Sequence, residues 1–358
     1  MYRNTKNVPY YVFGRGSLAQ LGDLLKPRRE AVDGPVVYFV DHFFRDHELI
    51  GRLPMEKGDQ LHFVDSSSEP EVTRIDAFKE AVSAADSRTP CCVVGIGGGN
   101  ALDTAKAVAN LLTNPGKAED YQGWELVKNP AVYKIGIPTL SGTGSECSRT
   151  CVLTNIPKNL KLGMNSDYTV YDQLLLDPDL LATVPRDQYF YTGIDTFMPC
   201  VESLQGSYRN AIIDAFSIRA VQLCEEIFLS DDMMSEENRE KMMIASYIGG
   251  MAAGNVGVIH PFSAGLGVVL HVAHRLRNCL ALTVLGDIYP KEYKQFRTMI
   301  ERQGVNLPTG ICKDLTEEQY EGLYRGCIVH EKPLTNALGP DFKQILTREN
   351  LIERYKSI

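Results

Sequence analysis

Apolar residues in the first half of the chain fall in short unbroken runs, separated by segments with helical spacing. Residues 35–40 read Pro-Val-Val-Tyr-Phe-Val and lead straight into Asp41. A continuous run of that length predicts a strand buried on both faces of a parallel sheet. Residues 9–13, 59–64, 91–96 and 132–138 read as further strands. Between them, residues 14–16 read as a turn, and 17–25, 71–85 and 101–112 as helices, with Ser17 as a helix N-cap. Strands alternating with helices in this way predict a doubly wound parallel α/β sheet.

The pattern changes near Tyr189. Helical periodicity runs over residues 210–228, 235–253, the histidine-bearing stretch 256–278, residues 290–303 and a last helix ending at 358. Strand signals fall away, which predicts a second, all-helical domain. The loop between Pro178 and Arg186 is the expected boundary, giving domains 1–183 and 184–358. No internal repeat or low-complexity segment interrupts either half.

Composition narrows the classes of function. With 358 residues, the chain is long enough for two domains of ordinary size. A formal net charge of −8 and the absence of a basic stripe argue against a nucleic-acid partner. No apolar run reaches the length needed to cross a bilayer. The N-terminal stretch lacks the apolar core of a signal peptide. Nine cysteines, an odd number with no Cys-x-x-Cys spacing, read as buried reduced thiols. The expectation is a cytoplasmic protein without disulfides.

Three segments carry candidate chemistry. The first is a glycine turn, Gly95-Ile-Gly97-Gly98-Gly99-Asn100, between a predicted strand and a helix. It suits a phosphate cradle at a helix N-terminus and equally a tight strand–helix turn. The second is Pro138-Thr-Leu-Ser-Gly-Thr-Gly-Ser-Glu146, where Thr139, Ser141, Thr143 and Ser145 supply hydroxyls. It suits a loop closing over a nicotinamide or pyrophosphate, or a polar cap for the next element. Asp41, ending the second predicted strand, is placed to bind a ribose hydroxyl and favour NAD over NADP, or else to cap the next helix. The third segment holds His260, His271 and His274 among apolar and small residues. With Asp195 upstream, His260 and His274 form a candidate set for a divalent metal, zinc or iron, leaving positions open for a substrate oxygen.

Taken together, GGGNALDTAK at 97–106, PTLSGTGSE at 138–146, Asp177-Pro178, TGID at 192–195, HPFSAG at 260–265 and His274 with Asn278 resemble the group III, iron- or zinc-dependent alcohol dehydrogenase family. These landmarks span most of the chain in the family's order. The resemblance implies a Rossmann-like N-terminal domain and a helical C-terminal domain, similar in fold to dehydroquinate synthase. It implies NAD or NADP and a metal in the cleft between domains, and a homodimer. It places Gly97, Gly98, Gly99, Asn100 and Asp103 near the pyrophosphate. Thr139, Ser141, Thr143 and Ser145 would surround the cofactor, and Asp195, His260 and His274 would bind the metal.

Two positions depart from the family pattern. Pro199 stands where many members have a histidine four residues after the aspartate, and Ala264 where many have a second histidine after the first ligand. Three protein ligands remain, as in the zinc-using branch, and His271 is a candidate for the catalytic role lost at Ala264. Within the family, the segments 202–210, 260–266 and 330–339 resemble the subgroup of the bacterial 3-deoxy-manno-octulosonate 8-oxidase. That resemblance implies oxidation of a primary alcohol of a sugar-like substrate to an aldehyde, at C8 of 3-deoxy-manno-octulosonate, in lipopolysaccharide amino-sugar biosynthesis. Arg209, Arg275 and Arg277 are candidates to pair with an acid group on such a substrate. A generic alcohol or polyol dehydrogenase, a lyase or cyclase on the same fold, and a catalytically silent relative are the competing readings.

Overall fold

The computed structural model describes residues 6–158, 160–252 and 256–358, with the side chain of His274 outside the described set. The chain divides into two compact units, Met1–Leu140 with Ser145–Ala182, and Ser141–Gly144 with Thr183–Ile358. Residues 141–144, expected in the first domain, group with the second.

In the first unit the elements follow one another as β1 Tyr10–Phe13, α1 Leu21–Ala31, β2 Val36–Asp41, β3 Gln60–Val64, α2 Val72–Ala85, β4 Cys92–Gly97 and α3 Gly99–Leu111. β5 Gly123–Trp124, β6 Lys134–Pro138, β7 Thr150–Asn155, β8 Leu160–Asn165 and β9 Gln173–Leu176 complete it. Among the described residues, one sheet runs in the order β1-β9-β6-β4-β2-β3, and every pairing in it is parallel. Period-two alternation explains the unbroken apolar runs. Val37, Phe39 and Val93 enter a core with α2 and α3, while Val36, Tyr38, Val40, Val94 and Ile96 enter a core with α1. The expected parallel α/β architecture is therefore present.

Other details differ from expectation. β7 and β8 form an antiparallel hairpin that joins β5 in a small second sheet, which the sequence pattern did not reveal. Ser17 is not an N-cap: Gly16, at φ 72°, precedes a short 3-10 turn, and the Ser17 hydroxyl donates to the Leu176 carbonyl at 3.4 Å. The following helix runs to Ala31 with Pro27 inside it, so the proline does not end the helix as its sequence signal implies.

The second unit contains α4 Arg186–Gln205, α5 Ala211–Phe228, α6 Glu236–Ala252, α7 Ile259–Leu270, α8 His274–Thr283 and α9 Pro290–Gln303. α10 Glu317–Ile328, α11 Glu331–Leu338, α12 Phe342–Ile345 and α13 Arg348–Lys356 follow. α4 packs against α5, α6 and α8, and α7 against α8 and α10. α4 is buried continuously from Thr192 to Ser203, which places its polar residues inside the helical core. Among the described residues no helix is long and apolar enough to cross a membrane. All nine cysteines are buried and free of disulfides.

Candidate active site

The glycine turn joins β4 to α3. Gly97 has a φ of 149°, and a Cβ there would lie 2.7 Å from Ala101 Cβ and 2.9 Å from Asp41 Cβ. Strand, turn and helix can meet this closely only at glycine. Gly98 is the N-cap of α3 and has no side chain to cap the helix's first turn. An uncapped helix start with a positive dipole is the arrangement that accepts a phosphate. Asn100 donates to the carbonyls of Ser66 at 3.2 Å and Ser68 at 2.9 Å, tying the loop after β3 to the turn. Asp41 accepts from Phe43 N at 3.0 Å and from Ser66 Oγ at 2.8 Å. The capping reading of Asp41 is thus realised beside Gly97, on the same carboxylate that the ribose reading requires.

Asp103 has a different environment from its glycine neighbours. It accepts from the Ser145 hydroxyl and from Val152 N at 2.9 Å, and lies 3.4 Å from Lys106 Nζ. Lys106 is fully buried and donates to the carbonyls of Ser145 at 2.8 Å and of Thr150. Asp103, Lys106 and Ser145 therefore brace α3 against the segment leading into β7. Both oxygens of Asp103 and the Ser145 hydroxyl are used inside the protein.

The loop after β6 is held by its backbone. Thr139 N donates to the Gly97 carbonyl at 3.0 Å, which sets this loop beside the glycine turn. Gly142 N donates to Ser246 Oγ at 2.8 Å, and its carbonyl accepts from Thr196 Oγ1 at 3.0 Å. At φ 149°, a Cβ on Gly142 would lie 1.7 Å from the Thr192 carbonyl oxygen. The glycine is required by close packing on α4, a reason the sequence motif alone did not supply. Ser141 is buried, with its hydroxyl unpartnered among the described residues, whereas Thr143 is exposed.

The helical unit brings Asp195 and His260 together. Asp195 is buried in α4, and Asn278 Nδ2 of α8 donates to its Oδ1 at 2.8 Å. Its Oδ2 has no hydrogen-bond partner among the described residues. Burial pushes the Asp195 carboxyl up to about 6, against the pull of the Asn278 bond and the charges of His260, Arg277 and Arg275. A desolvated carboxylate with one unmatched oxygen is costly unless a cation completes it.

Two helical turns beyond Asp195 on α4 stands Glu202, which sequence reasoning left without a role. Its Oε1 accepts from Ile259 N at 2.6 Å and His260 N at 3.4 Å, and its Oε2 is hydrogen-bonded to His260 Nδ1. Burial acts to lower the His260 pKa, but the Glu202 charge and hydrogen bond, joined by Asp195, outweigh it and raise the pKa. The signal available in the sequence was an acid on the apolar face already marked by Asp195.

The remaining candidates fall as follows. His271 is exposed at φ 53°, a left-handed residue that splits the histidine stretch into α7 and α8. The His274 side chain lies outside the described residues. Among the described residues, no three metal-ligating side chains converge. Pro199 is buried in α4 and offers no donor, and its missing N–H removes the helical partner of the Asp195 carbonyl. Arg209 is paired with Asp214 at 2.9 Å. The charges of Arg275 and Arg277 act on Asp195. The Arg277 guanidinium lies over Gly267, where a Cβ would come within 1.6 Å of Nη1. His330, which no local pattern marked as a site residue, joins the cluster: desolvation and the charges of His260 and Arg277 hold its pKa down.

Comparison with known proteins adds the family. Residues 9–178 match the model for iron-containing alcohol dehydrogenase, and residues 189–321 the C-terminal model of the Fe-containing alcohol dehydrogenase family. The sulfoacetaldehyde reductase of Bilophila wadsworthia is 34% identical over 220 residues, 60% of this chain and 56% of that protein. The chain thus spans little more than half of that relative. The NAD-dependent methanol dehydrogenase of Bacillus methanolicus is 29% identical over 75% of this chain and 71% of its own length. Among solved structures, sulfoacetaldehyde reductase from Bifidobacterium kashiwanohense in complex with NAD+ superposes with a TM-score of 0.82 at 24% identity, covering 99% of this chain and 98% of that one. Alcohol dehydrogenase from Oenococcus oeni gives 0.84 at 21% identity, covering 99% of each chain. At such identities the structures share the fold alone. The matches to both family models, over most of the chain, show that it belongs to the iron-containing alcohol dehydrogenase family of oxidoreductases.

Proposed function

We propose that the protein is a metal-dependent, NAD(P)-linked oxidoreductase that interconverts a primary alcohol and its aldehyde on a small substrate bearing an acid group. The observation that carries this reading is the Asp195–His260 pair: a buried carboxylate with one oxygen unmatched among the described residues, beside a half-buried imidazole held at Nδ1. One carboxylate oxygen and imidazole nitrogen suit zinc or ferrous iron. Asp195, His260 and His274 would hold the ion. When bound, such an ion acidifies an alcohol hydroxyl and polarises an aldehyde carbonyl. Gly97, Gly98 and Gly99 with Asn100 would cradle the dinucleotide pyrophosphate and Asp41 its ribose, and the nicotinamide supplies the hydride acceptor.

The chain's own residues do the rest. Asn278 orients the Asp195 carboxylate, and the buried face of α4 keeps water from it. His271, exposed at the break between α7 and α8, is the proposed carrier of the hydroxyl proton to solvent. Arg275 and Arg277 supply positive charge that favours an anionic substrate. This supports 3-deoxy-manno-octulosonate, oxidised at C8, as the first candidate. The Bilophila relative, named for sulfoacetaldehyde, makes that compound the second.

The test is trapping of a carbonyl product. Metal-stripped protein is reloaded with zinc or ferrous iron and given 3-deoxy-manno-octulosonate with NAD or NADP and a carbonyl-capture reagent. In a parallel arm it is given sulfoacetaldehyde with the reduced cofactor. The account predicts a metal-dependent product differing from its substrate by two hydrogens in at least one arm. Absence of any metal-dependent product with anionic substrates, alongside turnover of neutral alcohols, contradicts the substrate class. No turnover of either kind contradicts the enzyme reading.

A further inference from the structure

Glu202 is more deeply buried than Asp195, at 1% against 4% exposure, and its carboxylate is fully committed to one segment. It meets the first turn of α7 through two backbone N–H groups and meets His260 through Nδ1. The α7 N-cap, Val258, makes no side-chain cap bond of its own, and its N–H donates to the Tyr289 hydroxyl at 3.0 Å. We propose that Glu202 is a positioning residue that fixes the tautomer of His260, placing the proton on Nδ1 and presenting Nε2 as the metal-binding nitrogen. This rests on the metal reading of Asp195 and His260.

An ionised carboxylate can only accept hydrogen bonds. Nδ1 must therefore donate to it, and in a neutral imidazole the lone pair then resides on Nε2. The same carboxylate holds the backbone of residues 259 and 260, so ring and main chain are located by one group. Carboxylates that orient a histidine ligand in this way raise its basicity and fix its ring plane.

An amide at position 202 cannot do both tasks. With its carbonyl on the α7 amides, its NH2 faces Nδ1, which must then accept, and the proton moves to Nε2. Reversed, the NH2 faces backbone N–H groups. Glu202→Gln therefore removes the acceptor from one partner or the other while preserving volume.

The experiment titrates metal-stripped full-length protein with cobaltous ion, following the visible spectrum, for the parent and Glu202→Gln. Circular dichroism of the metal-free proteins is recorded alongside. The expected result is metal affinity weaker by about 10–100-fold in a variant that remains folded. Equal affinity in a folded variant overturns the proposal and reduces Glu202 to a helix cap. A parent protein that binds no metal overturns the metal reading and this inference with it. If the variant does not fold, nitrogen-15 resonances of His260 in the zinc-loaded parent decide. A proton on Nδ1 with a metal-shifted Nε2 supports the proposal, and the opposite assignment overturns it.

Discussion

Asp195 has one oxygen bonded by Asn278 and the other facing the protein interior without a partner among the described residues. Burying a charge this way opposes folding, so the metal-free protein should tolerate its removal. Asp195→Asn keeps the shape and the neighbour at Oδ1. It should abolish metal retention, measured by elemental analysis after dialysis. It should also leave metal-free stability to urea unchanged or higher by about 1 kcal/mol. Retained metal, or a marked loss of metal-free stability, would count against the assignment. Asp195 and His260 were legible in the sequence because an acid and a histidine stand out in apolar surroundings. Glu202 was not, because its role depends on a partner 58 residues away that only the folded chain supplies. The bracing by Asp103 was not legible either: its motif is that of a cofactor turn, and only the folded chain brings Ser145 and Val152 to its oxygens.

At the level of elements, α4 is the axis of the helical site. It carries Asp195 and Glu202, and it receives the tetrapeptide 141–144 through Thr192, Thr196 and the Gly142 backbone. A side chain at Gly142 must displace the Thr192 carbonyl. Gly142→Ala is therefore expected to destabilise the protein by about 3 kcal/mol or more, read from chemical denaturation. A neutral effect would mean that the loop can leave α4 without cost. Elements with a strong period were readable: β2 and β4 from unbroken apolar runs, and α9 from its spacing and its proline at the first turn. β9 and the β7–β8 hairpin were not. β9 is only four residues, and its place in the sheet comes from pairing with β1, far away in sequence. β7 alternates half-buried and buried positions, but apolar Val152 at a half-buried position and polar Asn155 at a buried one mask that alternation. The break at His271 also escaped notice, since a non-glycine residue in the left-handed region leaves no signal in hydrophobic spacing.

For the whole molecule, the division into a parallel α/β unit and a helical unit followed from the shift in periodicity near Tyr189. The family followed from the order of its motifs, and the matches to both halves of the family model agree. Fold and motif order do not by themselves reveal which ligand set survives when Pro199 and Ala264 replace histidines. That depends on which side chains meet in the helical unit, and there Asp195 and His260 meet with Glu202 and Asn278 around them. The central claim is that this cluster binds a catalytic metal. Anomalous diffraction from crystals of the full chain grown with zinc tests it most directly. The account predicts a single strong peak about 2.0–2.2 Å from Asp195 Oδ2 and His260 Nε2, with His274 as the third protein ligand. A map with no peak at Asp195, or with zinc bound only elsewhere, would contradict it.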